Sequence, residues 1–146
     1  MVPELTRLGQ ALLLVPRVHW VVAEDSSTCS SVIPIILHRL GLPYTHLANP
    51  MPEKFNKKTL GAKPRGVSNR LAGLQWIADF GDPNGVIFFL DDDNTFDIRL
   101  FDEIRKTKQV SMFPVGLIGS YALSSPVVKV SLLTYVVRVQ VYTVHA

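Results

Sequence analysis

Val86-Ile87-Phe88-Phe89-Leu90-Asp91-Asp92-Asp93 is the stretch on which the reading of the fold turns. Five consecutive apolar residues read as a strand buried on both faces, as in a parallel sheet covered by helices. Three aspartates follow at once. Carboxylates this close repel one another, and placing them at the end of a buried strand costs free energy unless a cation neutralises them. Oxygen ligands of this kind suit Mg²⁺ or Mn²⁺, which keep some water and bind ligand phosphates. Alternate residues of an extended segment face the same way, so Asp91 and Asp93 are expected to share one face and Asp92 to take the other. The competing reading is a helix start, because Asp is a good N-cap and acidic residues suit a first turn. One aspartate satisfies that role; three in a row ask for more.

On the C-terminal side, Leu100, Phe101 and Ile104 mark a helix, and residues 110–118 read as a strand pair interrupted at Pro114. On the N-terminal side, Gly81-Asp82-Pro83-Asn84-Gly85 is a turn cluster. Before it, residues 67–80 show helical spacing, with Leu71, Leu74 and Ile77 or Ala78 expected to face inward. Residues 49–66 form a long loop rich in Pro, Gly and Lys, and long loops inside compact domains are usually functional or disordered. Further back, Tyr44 to Ala48 reads as a strand. Ile33, Ile36, Leu37 and Leu40 mark a helix with Ser30 or Ser31 as N-cap, Pro34 in its first turn and Gly41 as its stop. Residues 17–23 are β-branched and aromatic and read as a strand that stops at Glu24-Asp25. Leu5, Leu8, Leu12 and Val15 mark a first helix, ended by Pro16.

Helices and strands therefore alternate along the chain, the α/β pattern with a mainly parallel sheet flanked by helices. Ligands of such sheets bind beyond the carboxyl ends of the strands. Two acidic clusters are expected there: Glu24-Asp25 and the three aspartates. Asp25 alone fits a cap or turn as well as a ligand contact. Lys54, Lys57, Lys58, Lys63, Arg65 and Arg70 fall in one short span, which fits an anionic ligand such as a diphosphate but equally a solvated loop. Arg65 and Arg70 could make paired contacts to phosphate or to a base carbonyl, against a default of solvated surface.

The 146 residues suit one domain, and 47% hydrophobic content is enough for a core. The net charge of +3 is mild. Cys29 is the single cysteine, so no disulfide scaffold exists within the chain. No run approaches the ~20 apolar residues of a membrane helix. The N-terminus lacks the pattern of a signal peptide, and a soluble chain is expected. His19, His38 and His46 match no metal-binding spacing and are read as structural or surface residues; His145 lies in a terminal segment on which nothing is built. There is neither a Gly-rich phosphate loop nor a serine nucleophile elbow.

Several segments, in order, carry a resemblance. They are Leu14-Val15-Pro16-Arg17-Val18-His19-Trp20 with Val22-Ala23-Glu24-Asp25; Tyr44-Thr45-His46-Leu47; and Pro64-Arg65-Gly66-Val67 with Asn69-Arg70. Then come Asp91-Asp92-Asp93-Asn94-Thr95-Phe96 with Leu100-Phe101-Asp102-Glu103-Ile104-Arg105, and Val110-Ser111-Met112-Phe113-Pro114-Val115-Gly116. Together, over roughly residues 4–128, they resemble the β-1,3-glucuronyltransferases. The aspartate run with Asn, Thr and an aromatic is specific only in combination with the other segments.

The resemblance implies the Rossmann-like, nucleotide-sugar-binding half of a GT-A type glycosyltransferase. The implied activity is inverting, Mn²⁺-dependent transfer of glucuronic acid from UDP-glucuronate to a terminal galactose, as in the glycosaminoglycan–protein linker of proteoglycans. It implies Asp25 on the uracil, Arg65 near the base, Arg70 on the donor, Asp91 and Asp92 on the donor side with Asp92 at the ribose, and Asp93 on manganese. It implies a type II Golgi membrane protein with a lumenal catalytic domain, a homodimer, and no nucleic-acid partner, although this chain itself shows no membrane segment. Two departures follow. The family's Thr-Pro-Thr-Tyr strand is not found, and its acceptor-contacting glutamate corresponds to Ser124 within Gly119-Ser120-Tyr121-Ala122-Leu123-Ser124. Residues 1–128 then form a partial UDP-sugar-binding domain. Residues 129–146 are a divergent tail of which 130–146 (VSLLTYVVRVQVYTVHA) read as an aggregation-prone β run. The family's catalytic base belongs to the acceptor half, so a truncated chain with little activity of its own is expected. The alternatives are a UDP- and Mn²⁺-binding remnant or inactive partner subunit, and, more distantly, phosphoryl transfer on an unrelated α/β fold.

Overall fold

A computed structural model describes residues 2–53 and 66–111. Within them the elements run α1 (Val2–Leu12), β1 (Trp20–Glu24), α2 (Val32–Leu40), β2 (Tyr44–Ala48), α3 (Val67–Phe80) and α4 (Arg99–Arg105). The two strands pair in parallel, with Trp20 opposite Tyr44, Val22 opposite His46 and Glu24 opposite Ala48. Parallel neighbours need a crossover connection, and α2 supplies it. The expected α/β class and parallel pairing are thus present, in a sheet of two strands among the described residues.

Side chains alternate across a strand, so Trp20, Val22 and Glu24 share one face of β1 with Tyr44 and His46 of β2. That face meets α1 and α2. Leu5, Leu8 and Leu12 of α1 and Ile33 and Leu37 of α2 are buried in one cluster with Trp20 and Val22. The leucine spacing that predicts α1 is therefore its buried stripe, and Val15, just beyond the helix, joins the same cluster. Gly9 lets α1 come close. A Cβ there would lie 2.2 Å from Leu40 Cδ1 and 3.1 Å from Trp20 Cζ3. Gly41 ends α2 in the left-handed region at φ 68°, its N–H donating to the His38 carbonyl, as expected of a stop glycine. Ser31 holds the N-cap position but its side chain makes no capping bond.

The opposite face of β1 lies toward α3, and two expectations fail there. Leu71 is 61% exposed and Leu74 37%, whereas the buried positions of α3 are Asn69 and Gly73. The inward stripe is set by close approach and ring stacking instead of leucine spacing. Gly73 carries no side chain to hold the helix off, and Trp76 stacks on His19 at 5.0 Å. His19 Nε2 also lies 2.9 Å from Thr45 Oγ1.

The second failure is the opening stretch. Residues 86–90 do not form a strand: they carry no ladder partner among the described residues. Only Leu90 is buried in the main core, with Val86 and Phe88 packed against that core and Phe89 42% exposed. A strand is completed by hydrogen bonds to a neighbour, and the described sheet ends at β1 and β2. Phe88 instead meets Phe96 and Phe101 edge-on, at 5.9 and 6.2 Å, which anchors the segment to α4. The helix expected around Leu100, Phe101 and Ile104 is α4, with Phe101 and Ile104 buried. The predicted first strand starts later than expected, at Trp20. Val110 and Ser111 are not in a strand. The rest of the strand pair expected over 110–118 lies outside the described residues, as do the boundary near residue 128, most of the 49–66 loop and Ser124.

Candidate functional site

The first acidic cluster, Glu24-Asp25, stands at the carboxyl end of β1, the end at which ligands of parallel sheets bind. Glu24 closes β1. Its carbonyl accepts N–H groups from Ser26 at 2.8 Å and from Asn49, just past β2, at 2.9 Å. Its carboxylate Oε2 accepts the Ser30 N–H at 2.9 Å and lies 3.0 Å from His46 Nε2. Burial pushes the Glu24 pKa up, but the hydrogen bonds from the Ser30 backbone and His46 outweigh it, and the net value is lowered. The carboxylate is therefore ionised at neutral pH. It holds the backbone just ahead of α2, at Ser30, while the helix itself starts without a side-chain cap. Asp25 comes next, and its Oδ1 accepts the Met51 N–H at 2.7 Å. The loops after both strands are in this way tied to one another.

From there the rim continues into α3. Asn49 Nδ2 donates to Ser68 Oγ at 2.7 Å, and Ser68 lies two residues before Arg70. Arg70 reaches across to the aspartate run and donates to Asp91 Oδ1 at 2.7 Å. Both side chains are partly exposed, 32% and 46%, so a ligand can share this pair. Arg70 and Asp91, singled out separately in the sequence, are brought together.

The aspartate run is not extended. The Asn94 N–H donates to the Asp91 carbonyl at 3.2 Å, which closes a turn over 91–94. The expected sharing of a face by Asp91 and Asp93 therefore has no basis, since it assumes an extended backbone. Asp91 and Asp92 are half-buried and Asp93 is exposed. Neither do the aspartates start a helix, because α4 begins later, at Arg99. Asp97 makes a close ion pair with Arg99 there; hydrogen bonds from the Arg99 side chain and backbone lower its pKa to about 2.

Arg7 is the residue that sequence reasoning missed. It projects from α1 and its Nη2 donates to the carbonyls of Asp92 at 3.3 Å and Asp93 at 3.0 Å. No local pattern announces this, because the partners are more than eighty residues apart in sequence. Two arginines thus grip the acidic turn, one through its backbone and one through a side chain. Arg65 lies outside the described residues, with the lysines around it.

Among the described residues, no three His, Cys, Asp or Glu side chains gather to hold a metal ion. A divalent cation bound largely by ligand phosphates and water needs only one or two carboxylates, and the exposed Asp93 is of the right chemistry for that. Also among the described residues, no helix is long and apolar enough to cross a membrane.

The comparisons with known proteins agree with the segment resemblance. The sequence profile of glycosyltransferase family 43 matches residues 8–143. Galactosylgalactosylxylosylprotein 3-beta-glucuronosyltransferase S of Drosophila melanogaster is 54% identical over 128 residues, covering 88% of this chain and 31% of its own length. Galactosylgalactosylxylosylprotein 3-beta-glucuronosyltransferase 2 of Mus musculus is 42% identical over 130 residues, covering 86% of this chain and 39% of its own. The human protein of the same name is 40% identical over 130 residues, with the same coverages. The chain spans about a third of the length of these relatives. The paired strands, the acidic turn in the grip of two arginines and the family match over most of the sequence lead to one conclusion: the chain belongs to glycosyltransferase family 43.

Proposed function

We propose that this chain provides the donor-nucleotide side of a β-1,3-glucuronosyltransferase. The full reaction moves glucuronic acid from UDP-glucuronate, with inversion, to a terminal galactose of a glycosaminoglycan–protein linker. The observation that carries the reading is the clustering of Arg70 on Asp91 beside a turn that presents Asp93 to solvent. The relatives' names supply the sugar and the acceptor class.

In this reading the fold is the Rossmann-like half of a GT-A enzyme, and each residue has a task. Asp25 keeps Oδ1 on the Met51 N–H and offers its other oxygen to the imide N–H of uracil. Arg65 lies near the base. Asp92 takes a ribose hydroxyl. Arg70, already paired to Asp91, divides its donors between that carboxylate and the donor phosphates, as a planar guanidinium can. Asp93 holds Mn²⁺. Bound Mn²⁺ supplies Lewis-acid stabilisation of the charge that develops on the departing nucleoside diphosphate. Arg7 keeps the turn in place by holding its carbonyls. A carboxylate acting as base on the acceptor hydroxyl completes the displacement; in the family it belongs to the acceptor half. The family's Golgi setting, type II anchoring and homodimer are part of the same proposal.

Calorimetry of the purified chain with UDP, with and without Mn²⁺, tests the donor-side reading. UDP binds, and Mn²⁺ tightens binding. Asp93→Asn removes the Mn²⁺-dependent gain but leaves metal-free UDP binding in place. Folded protein that gives no heat with UDP under either condition defeats the reading.

A further inference from the structure

Glu24 and His46 are conspicuous on physical grounds. The His46 side chain is 5% exposed, and among the described residues its Nδ1 has no hydrogen-bond partner. The Glu24 carboxylate is ionised and can only accept, so Nε2 carries the proton that lies between them. Nδ1 is then a polar atom sealed from water without a partner among the described residues. Such a group costs free energy. A phenylalanine of similar shape would avoid that cost, so something must favour the imidazole.

The register shows what it does. His46 stands opposite Val22, two residues before Glu24 on the same face, so the pair is a diagonal brace between β1 and β2. The same Oε2 takes the Ser30 N–H, and the Glu24 carbonyl takes the N–H groups of Ser26 and Asn49. Glu24 therefore binds both ends of the loop between β1 and α2, at Ser26 and Ser30, and the loop that leaves β2. Asp25 is its immediate neighbour. The Asp25 side chain is an exposed carboxylate whose Oδ1 accepts the Met51 N–H, in the very loop that Glu24 braces.

We infer that Glu24 and His46 are a positioning pair that sets nucleobase selectivity by aiming the Asp25 carboxylate. The inference rests on the reading of Asp25 as the base contact. A carboxylate oxygen held in one place accepts the N3–H of uracil. It meets only a lone pair at N3 of cytosine, so a fixed Asp25 favours UDP over CDP. A loosened Asp25 rotates to accept the exocyclic amine of cytosine and loses the preference. Neither Glu24 nor His46 touches the nucleotide; both act through Asp25.

The test measures Kd for UDP and for CDP by calorimetry on the full chain, with thermal melting alongside. Four variants are compared: Asp25→Asn, Glu24→Ala, His46→Phe and Leu8→Ala. His46→Phe keeps a buried ring and removes only the brace, so it decides the matter if Glu24→Ala does not fold. Asp25→Asn is expected to erase the preference for UDP. Glu24→Ala and His46→Phe are expected to narrow it by about tenfold, the scale of one lost hydrogen bond to a charged group. Leu8→Ala lowers the melting temperature through the core and leaves the ratio of the two Kd values unchanged. That contrast separates positioning from general destabilisation. If Asp25→Asn erases the preference while His46→Phe leaves it intact, the positioning pair is overturned and the base contact stands. If the unaltered chain does not distinguish UDP from CDP, the base contact itself is wrong and the pair's role in selectivity falls with it.

Discussion

Residues 20–25 and 86–93 look alike on paper. Each is an apolar run that ends in acidic residues. In the folded chain they differ in kind. Trp20, Val21, Val22 and Ala23 are at most 1% exposed and lie in a hydrogen-bonded parallel pair. Residues 86–90 are mostly half-buried, pair with nothing in the described sheet and are held by ring contacts to the α4 region. The difference lies in the surroundings of each run. The first has a crossover helix and a second strand within the next two dozen residues. An apolar run becomes a strand when a neighbour can take its backbone hydrogen bonds, and composition alone does not provide one.

Three substitutions break or sharpen this contrast. Trp20→Ala empties the centre of the first region and is expected to cost about 3–5 kcal/mol. Denaturant unfolding would show it as a fall in midpoint, or as loss of the folded state altogether. Gly41→Ala attacks the crossover between the strands. Its φ of 68° is unfavourable for any residue with a Cβ, although nothing lies within 4 Å to clash with the new methyl group. The expected loss is about 1 kcal/mol, all from the backbone, read as a small fall in the denaturant midpoint. Phe89→Ser addresses the second region and should stay within about 0.5 kcal/mol, as exposed positions do. A loss as large as that of Trp20→Ala would mean that residues 86–90 are as deeply integrated as β1, and the contrast would collapse.

Those effects mirror what could be read from the sequence. The leucines of α1, the β-branched run of β1 and the stop at Gly41 were legible because each signal is complete within a few turns of chain. The buried face of α3 was not. Its buried residues are Asn69 and Gly73, with Trp76 stacked on His19, whereas Leu71 and Leu74 are exposed and only Ile77 of the expected positions is half-buried, so a rule that seeks large aliphatics misplaces most of the face. The site divides in the same way. Asp25, Arg70 and Asp91 announce themselves by type and place, and Arg70 does meet Asp91. The turn over 91–94, the Arg7 grip and the Glu24–His46 brace depend on tertiary contacts that no window of sequence contains.

Arg7 also has a bearing on when the molecule is finished. Its two acceptors lie 85 and 86 residues downstream, whereas the paired strands lie within the first fifty residues. A chain emerging N-terminus first can therefore pair β1 with β2 early, while Arg7 waits exposed for residues not yet made. Closing so long a loop is slow compared with local pairing. The Arg7 grip on the acidic turn accordingly closes after the strands have paired, and the nascent chain passes through a stage with a sheet but without that grip.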